Sequence, residues 1–271
     1  MRGRLDARRT LKSLVADLRI LSVTLASITI LSNAQIIKTN VLSTYKEGDE
    51  LEKATYANIK DPIQKDTWCA AFMKRPAEGS SSPTIGKELS YPKYAEGGPS
   101  VNLGFPSGIK GYRNSAYSLT ESGKTYKKGV YYLACLINLS KVGTNKPTEL
   151  IALNATHTGS SARAQVFVNK SEDGKLKITA VAGKQRMEIP NTFDFGKTHL
   201  IILKADYPNT KYSLFVDPDL GKSEPKANAE IMAPETLTVG VKAFSFKNGH
   251  IYKGNIGNFR FTNKWEDIIA Q

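Results

Sequence analysis

From residue 129 onward the chain carries short apolar, β-branched and aromatic runs broken by Gly, Pro and Asn, and this rhythm limits what it can fold into. Val130 to Ile137 is a continuous apolar run, as for a strand covered on both faces. Leu150 to Leu153 and Ala164 to Val168 follow, and Ser171 to Gly174 ends on the Asp-Gly turn signal. In Lys175 to Val181, Leu176 and Ile178 alternate with Lys175, Lys177 and Thr179, which predicts one wet face. His199 to Ala205, Lys211 to Val216, Thr236 to Val241, Ala243 to Phe246 and Asn258 to Phe261 complete the expected strands. Helical periodicity is nearly absent here, and Thr44 to Ile59 is too polar for an amphipathic stripe. The expected class is all-β, an antiparallel two-sheet sandwich.

The first 34 residues read differently. Arg2, Arg4, Arg8, Arg9, Lys12 and Arg19 precede an uncharged stretch from Ile20 to Leu31, then Ser32, Asn33 and Ala34. This is the order of a secretory signal peptide with cleavage after Ala34, which would make the protein secreted or periplasmic. These twelve uncharged, mostly apolar residues rise about 18 Å, short of the ~30 Å of a bilayer core, so a membrane anchor fits less well. No later run is long enough for a transmembrane helix. Losing these residues takes the formal charge from +13 to +9. The remaining excess is scattered, with no basic stripe interleaved with aromatics, so nucleic acid is not an expected partner. We divide the chain into a signal peptide (1–34), an N-terminal lead-in of flexible character (35–65) and one sandwich domain (66–271). Pro76 to Pro83 and Glu96 to Pro99 read as loops inside that domain.

Several short segments, in order, resemble the LamG-like, concanavalin A-type jelly-roll family of secreted bacterial proteins. They are Trp68 to Phe72, Glu88 to Tyr94 with Gly97 and Gly98, and Gly129 to Ile137. The hairpin His199 to Tyr207 with Tyr212 to Pro218 and the closing Gly257 to Asp267 follow. Asn258 and Asp217 depart from the family pattern, which favours an acidic residue and Asn there. The resemblance implies two curved antiparallel sheets. It also implies a concave face and rim loops that commonly bind glycans or protein ligands, sometimes through Ca²⁺. Fold alone does not choose among these roles.

Candidate chemistry is sparse. Glu47, Asp49 and Glu52 fit the E-x-D-x-x-E spelling of glycoside hydrolases on this fold, where alternate residues of one strand share a face. Gly48 and Glu50 between them lack the apolar character a buried active-site strand needs, so a solvated acidic stretch is preferred and no catalytic residue is assigned. No G-x-S-x-G elbow, P-loop or dinucleotide fingerprint is present. Asp206, Asn209, Asp217 and Asp219 flank one hairpin and are the candidate Ca²⁺ ligands, against an alternative role in turns. Glycan binding calls for an exposed aromatic with planar polar groups. Tyr112, Arg113, Asn114 and Tyr117 lie in Gly108 to Tyr117, read as a loop; a rival loop, Thr156 to Arg163, supplies His157 and Arg163. Cys69 and Cys135 are either a disulfide or two buried thiols. The expected role is a binding or adhesion module for a glycan or envelope polysaccharide. A glycoside hydrolase or lyase and a structural envelope protein with a protein partner are the alternatives.

Overall fold

A computed structural model describes residues 36–52, 65–70, 82–159 and 161–270. The expectations for residues 1–34, for Ala71 and Phe72, and for Pro76 to Ser81 fall outside the described residues. The described chain is an all-β jelly-roll sandwich of two antiparallel sheets. The first sheet holds β1 (Ile36–Lys38), β3 (Ile85–Leu89), β4 (Gly98–Leu103), β6 (Val130–Val142), β11 (His199–Asp206), β12 (Lys211–Val216), β13 (Ala229–Met232) and β15 (Tyr252–Thr262). Its order is β13-β12-β11-β6-β15-β4-β3, with β1 also pairing with β15. The second sheet holds β2 (Trp68–Ala70), β5 (Tyr112–Ser118), β7 (Thr148–Asn154), β8 (Ala162–Lys170), β9 (Leu176–Ala182), β10 (Gln185–Glu188) and β14 (Ala243–Gly249). Its order is β10-β9-β8-β7-β14-β5-β2.

Alternation along the strands fills the space between the sheets. Leu133, Cys135 and Ile137 of β6 and Ile201, Leu203 and Ala205 of β11 meet Ile151 and Leu153 of β7 and Ala164, Val166 and Val168 of β8 in one core. Fully burying a side chain of this size contributes about 1.5–3 kcal/mol. Trp68 anchors the aromatic part, its ring centroid 5.1 Å from Tyr117, 5.5 Å from Phe244 and 5.7 Å from both Phe246 and Phe259.

The β6 run is apolar throughout because its second face is covered as well. Tyr132, Ala134 and Leu136, with Leu200, Ile202 and Phe215, form a second cluster on the outside of the eight-stranded sheet. Leu89, Tyr94, Leu220, Trp265 and Ile268 close over it. The Tyr94 hydroxyl donates to the Asn258 carbonyl at 2.6 Å, and the Trp265 indole donates to the Gly221 carbonyl at 3.1 Å. Segments Glu88 to Tyr94 and Gly257 to Asp267, two of those carrying the family resemblance, therefore meet in this cap.

Three expectations are corrected. Residues 36–52 belong to the sandwich rather than to a lead-in: β1 pairs with β15, Leu42 and Leu51 join the core, and Glu52 is buried. Thr236 to Val241 is a run of turns with Val241 bridging Tyr126, since Leu237 and Val241 reach the core without a ladder. The wet face of β9 holds only in part. Lys175 is exposed and Lys177 half-buried, but Thr179 is buried in the row where β10 pairs alongside. Both cysteines are free and buried, Cys69 in β2 and Cys135 in β6.

Candidate functional site

The outward face of the seven-stranded sheet carries the candidate site. Gly108 to Tyr117 is a loop only to Gly111; from Tyr112 it is strand β5, and the two-residue period of a strand splits the four expected residues between opposite faces. Arg113 and Tyr117 turn inward. Arg113 Nε donates to Glu52 Oε2 at 2.7 Å, with both side chains buried. Tyr117 stacks on Phe244, and its hydroxyl donates to Asp66 at 3.3 Å. Neither belongs to an exposed platform. Tyr112 and Asn114 turn outward.

Beside them the floor is small and polar. Ala116 and Ser118 of β5, Ala243 and Ser245 of β14, and Ala152 and Asn154 of β7 adjoin in register. Asn154 Nδ2 donates to Ser245 Oγ at 2.8 Å. The turn after β7 folds back onto this floor. Asn114 Nδ2 donates to the Gly159 carbonyl at 3.1 Å, and His157 Nδ1 lies 2.8 Å from Ser118 Oγ. Gly159 has φ +69°, and a Cβ there would lie 2.8 Å from Ser245 Cβ and 3.0 Å from Ala116 Cβ. Only glycine allows so close an approach in that conformation. Burial, and then Lys242, push the His157 pKa down, favouring the neutral ring. Arg163, the other residue of this loop pair, is engaged locally: Nη1 donates to the Thr236 carbonyl at 3.0 Å and Nε to the Ser161 carbonyl at 3.0 Å. Asn114 Oδ1, Asn154 Oδ1, Thr179 Oγ1 and His157 Nε2 are buried without a hydrogen-bond partner among the described residues.

A second row crosses the same face at the Tyr112 end. Tyr112 is 38% exposed, with Lys247 Nζ 4.7 Å from its ring centroid. Lys247 reaches Glu149 at 3.5 Å, and Gln165 donates to Glu149. Phe167 follows on β8, with the Arg186 guanidinium 5.3 Å from its ring centroid. The face thus presents two aromatic rings, each under a cation, with a carboxylate and an amide between them. Tyr112 and Phe167 lie on strands three spacings apart, about 14 Å. Sequence reasoning missed Lys247, Glu149, Gln165, Phe167 and Arg186. The readable signal was Phe167, an aromatic between Val166 and Val168 whose alternation turns it outward.

The expected metal ligands do not converge. Asp206 and Asn209 sit at the turn of the β11–β12 hairpin, where Asp206 accepts from the Asn209 backbone at 3.0 Å and side chain at 2.9 Å. Asp217 lies at the hairpin's far end, accepting from Leu200 N at 2.8 Å and lying 2.6 Å from His199 Nδ1. The ladder between the two ends runs from Asp206–Lys211 to Ile201–Val216, about 17 Å of strand. Asp219 is exposed, 3.7 Å from Lys93. Among the described residues no group of three or more His, Cys, Asp or Glu side chains is placed to hold a metal ion.

The carboxylate spelling is also dispersed. Tyr45 to Leu51 runs through turns and one isolated bridge, Glu50 to Thr84, so Glu47 and Glu52 share no strand. Glu47 is exposed, and Glu52 is held by Arg113. Burial raises the Glu52 pKa against the opposing pull of the Ser115 hydroxyl and Arg113. The same burial, with Glu52 nearby, pushes the Cys69 thiol up to about 12, so it stays protonated. Among the described residues no helix is long and apolar enough to cross a membrane.

No protein-family model and no curated protein matches the chain. Among solved structures it is similar to a sialidase at TM-score 0.42 and 9% identity, over 72% of this chain but 17% of that one. A heptameric SAP-like pentraxin from Limulus polyphemus is similar at TM-score 0.42 and 7% identity, over 62% of this chain and 79% of that one. The CBM2 module of the evolved Dit of Lactobacillus casei BL23 phage J-1 is similar at TM-score 0.38 and 8% identity, over 79% and 84%.

Proposed function

We propose that this is an exported, LamG-like carbohydrate-binding module of the cell envelope or its surroundings, whose ligand lies across the outward face of the seven-stranded sheet. The row from Tyr112 through Lys247, Glu149 and Gln165 to Phe167 and Arg186 carries this reading. A sugar ring presents an apolar face that an aromatic side chain can cover, and hydroxyl pairs that planar amide and carboxylate groups can bond. Tyr112 and Phe167 supply the first; Gln165 and Glu149 supply the second. An adhesion role follows from binding at the cell surface, and export follows from residues 1–34.

Affinity electrophoresis of the mature protein in gels containing neutral polysaccharides tests the proposal. Retardation by at least one polysaccharide class is expected. Tyr112→Ala and Phe167→Ala should each weaken it about five- to tenfold, as central aromatic contacts do. A folded protein that no polysaccharide retards, or variants retarded like the parent, would refute it.

A further inference from the structure

A cavity lies at the end of the sandwich where β4, β6 and β15 meet Asn248 of β14 and His250. It has a volume of about 750 Å³ and lies at one end of the eight-stranded sheet. Its lining includes Thr84, Asn102, His250, Lys141 and Lys253, and among the described residues no acidic side chain contributes to it. Lys141 and Lys253 are directly opposite each other in the β6–β15 ladder. Both are exposed, and neither reaches a carboxylate among the described residues.

That pairing works against the fold. Like charges directly opposite one another in a ladder are destabilising. Lysines of this kind commonly protect exposed sheet edges. Here the β11 ladder on β6 stops at Ile137 and the β4 ladder on β15 stops at Gly254, so the two lysines face each other at the end of the sheet, beside the cavity. One step along, the surface stays polar. Asn255 is opposite both Asn102 and Asn138, its Nδ2 donates to Asn102 Oδ1 at 3.0 Å, and Asn102 Nδ2 donates to Thr84 Oγ1 at 3.1 Å. The amide chain fixes the wall of the cavity beside the two ammonium groups.

We infer that this cavity is an oxyanion site, in which Lys141 and Lys253 together hold a phosphate or sulfate group. A tetrahedral oxyanion offers acceptors to both lysines at once, relieving their repulsion through charge-assisted hydrogen bonds. The group is borne either by a free ion or by an esterified polymer, and the two sources differ in avidity.

Binding of inorganic phosphate, inorganic sulfate and dextran sulfate to the mature protein, followed by calorimetry and by thermal unfolding, tests the site. Saturable binding with a rise in Tm is expected. Lys141→Gln and Lys253→Gln should each weaken it about tenfold, while Lys222→Gln, at an exposed position outside the cavity, should not. Without anion, the double variant should be at least as stable as the parent. Dextran sulfate binding far more tightly than inorganic sulfate assigns the site to a polymer; equal affinity per sulfate group assigns it to the free ion. The inference fails if none of the three probes binds saturably, if the double variant binds like the parent, or if Lys222→Gln weakens binding as much as the cavity variants do.

Discussion

The two sheets share one core but dress their outer faces in opposite ways. The eight-stranded sheet covers part of its outside with Tyr132, Leu136, Ile202 and Phe215 under Trp265 and Tyr94. The seven-stranded sheet lines its outside with Ala116, Ser118, Asn154 and Ser245 and lays one turn over them. The first arrangement removes apolar surface from water, so it stabilises strongly. The second buries little apolar area and leaves polar atoms without protein partners. Such groups cost free energy unless bonded, so this face contributes less to stability than the capped one.

The largest expected effect is on the apolar side. Trp265→Ala should cost about 3–5 kcal/mol in urea unfolding, since it removes a buried aromatic and its bond to Gly221. It should leave polysaccharide retardation unchanged, and a shared loss of stability and binding would break the division of labour. On the polar side, Gly159→Ala should cost about 1–3 kcal/mol, because a left-handed backbone and a tight approach to Ser245 oppose the added methyl. A smaller cost would mean that the turn does not rest firmly on the floor.

Acidity separates the sheets next, with opposite signs. His199, at the start of β11, is lowered by burial but raised overall by its bond to Asp217 and the Asp194 carbonyl. Its contribution is complete below the unfolded histidine pKa of ~6.5 and is lost as pH rises through the raised folded value. His157 is lowered, so the unfolded chain takes up a proton first and stability is lost as pH falls below ~6.5. Urea midpoints measured across this range should show His199→Gln flattening the alkaline loss and His157→Gln flattening the acid loss. The smallest effect on stability is expected for Tyr112→Ala, within about 0.5 kcal/mol for so exposed a side chain. Its consequence should fall on binding alone.

These regions also differ in how far they can be read from sequence. The apolar side is legible because its residues repeat at the strand period: β11 and β12 fall where the His199 to Ala205 and Lys211 to Val216 runs predict them. The polar side is not. In β5 the inward positions are Arg113, Ser115 and Tyr117, and the outward ones are Tyr112, Asn114, Ala116 and Ser118, so no hydrophobic alternation marks the strand. Arg113 points inward only because Glu52, sixty-one residues earlier, meets it there, and no local pattern encodes a partner so distant. The acidic hairpin residues are plain in the sequence, but their separation along the ladder is not.

The pairing of β1 with β15 has a consequence for how the molecule comes into being. Ile36 lies opposite Thr262, so the earliest described strand waits for almost the last before its hydrogen bonds can form. Contacts so far apart along the chain form slowly and late. During synthesis the polypeptide therefore lacks its closing ladder until its final strand has been made. A chain cut short before Thr262 would leave Ile36–Lys38 without this ladder.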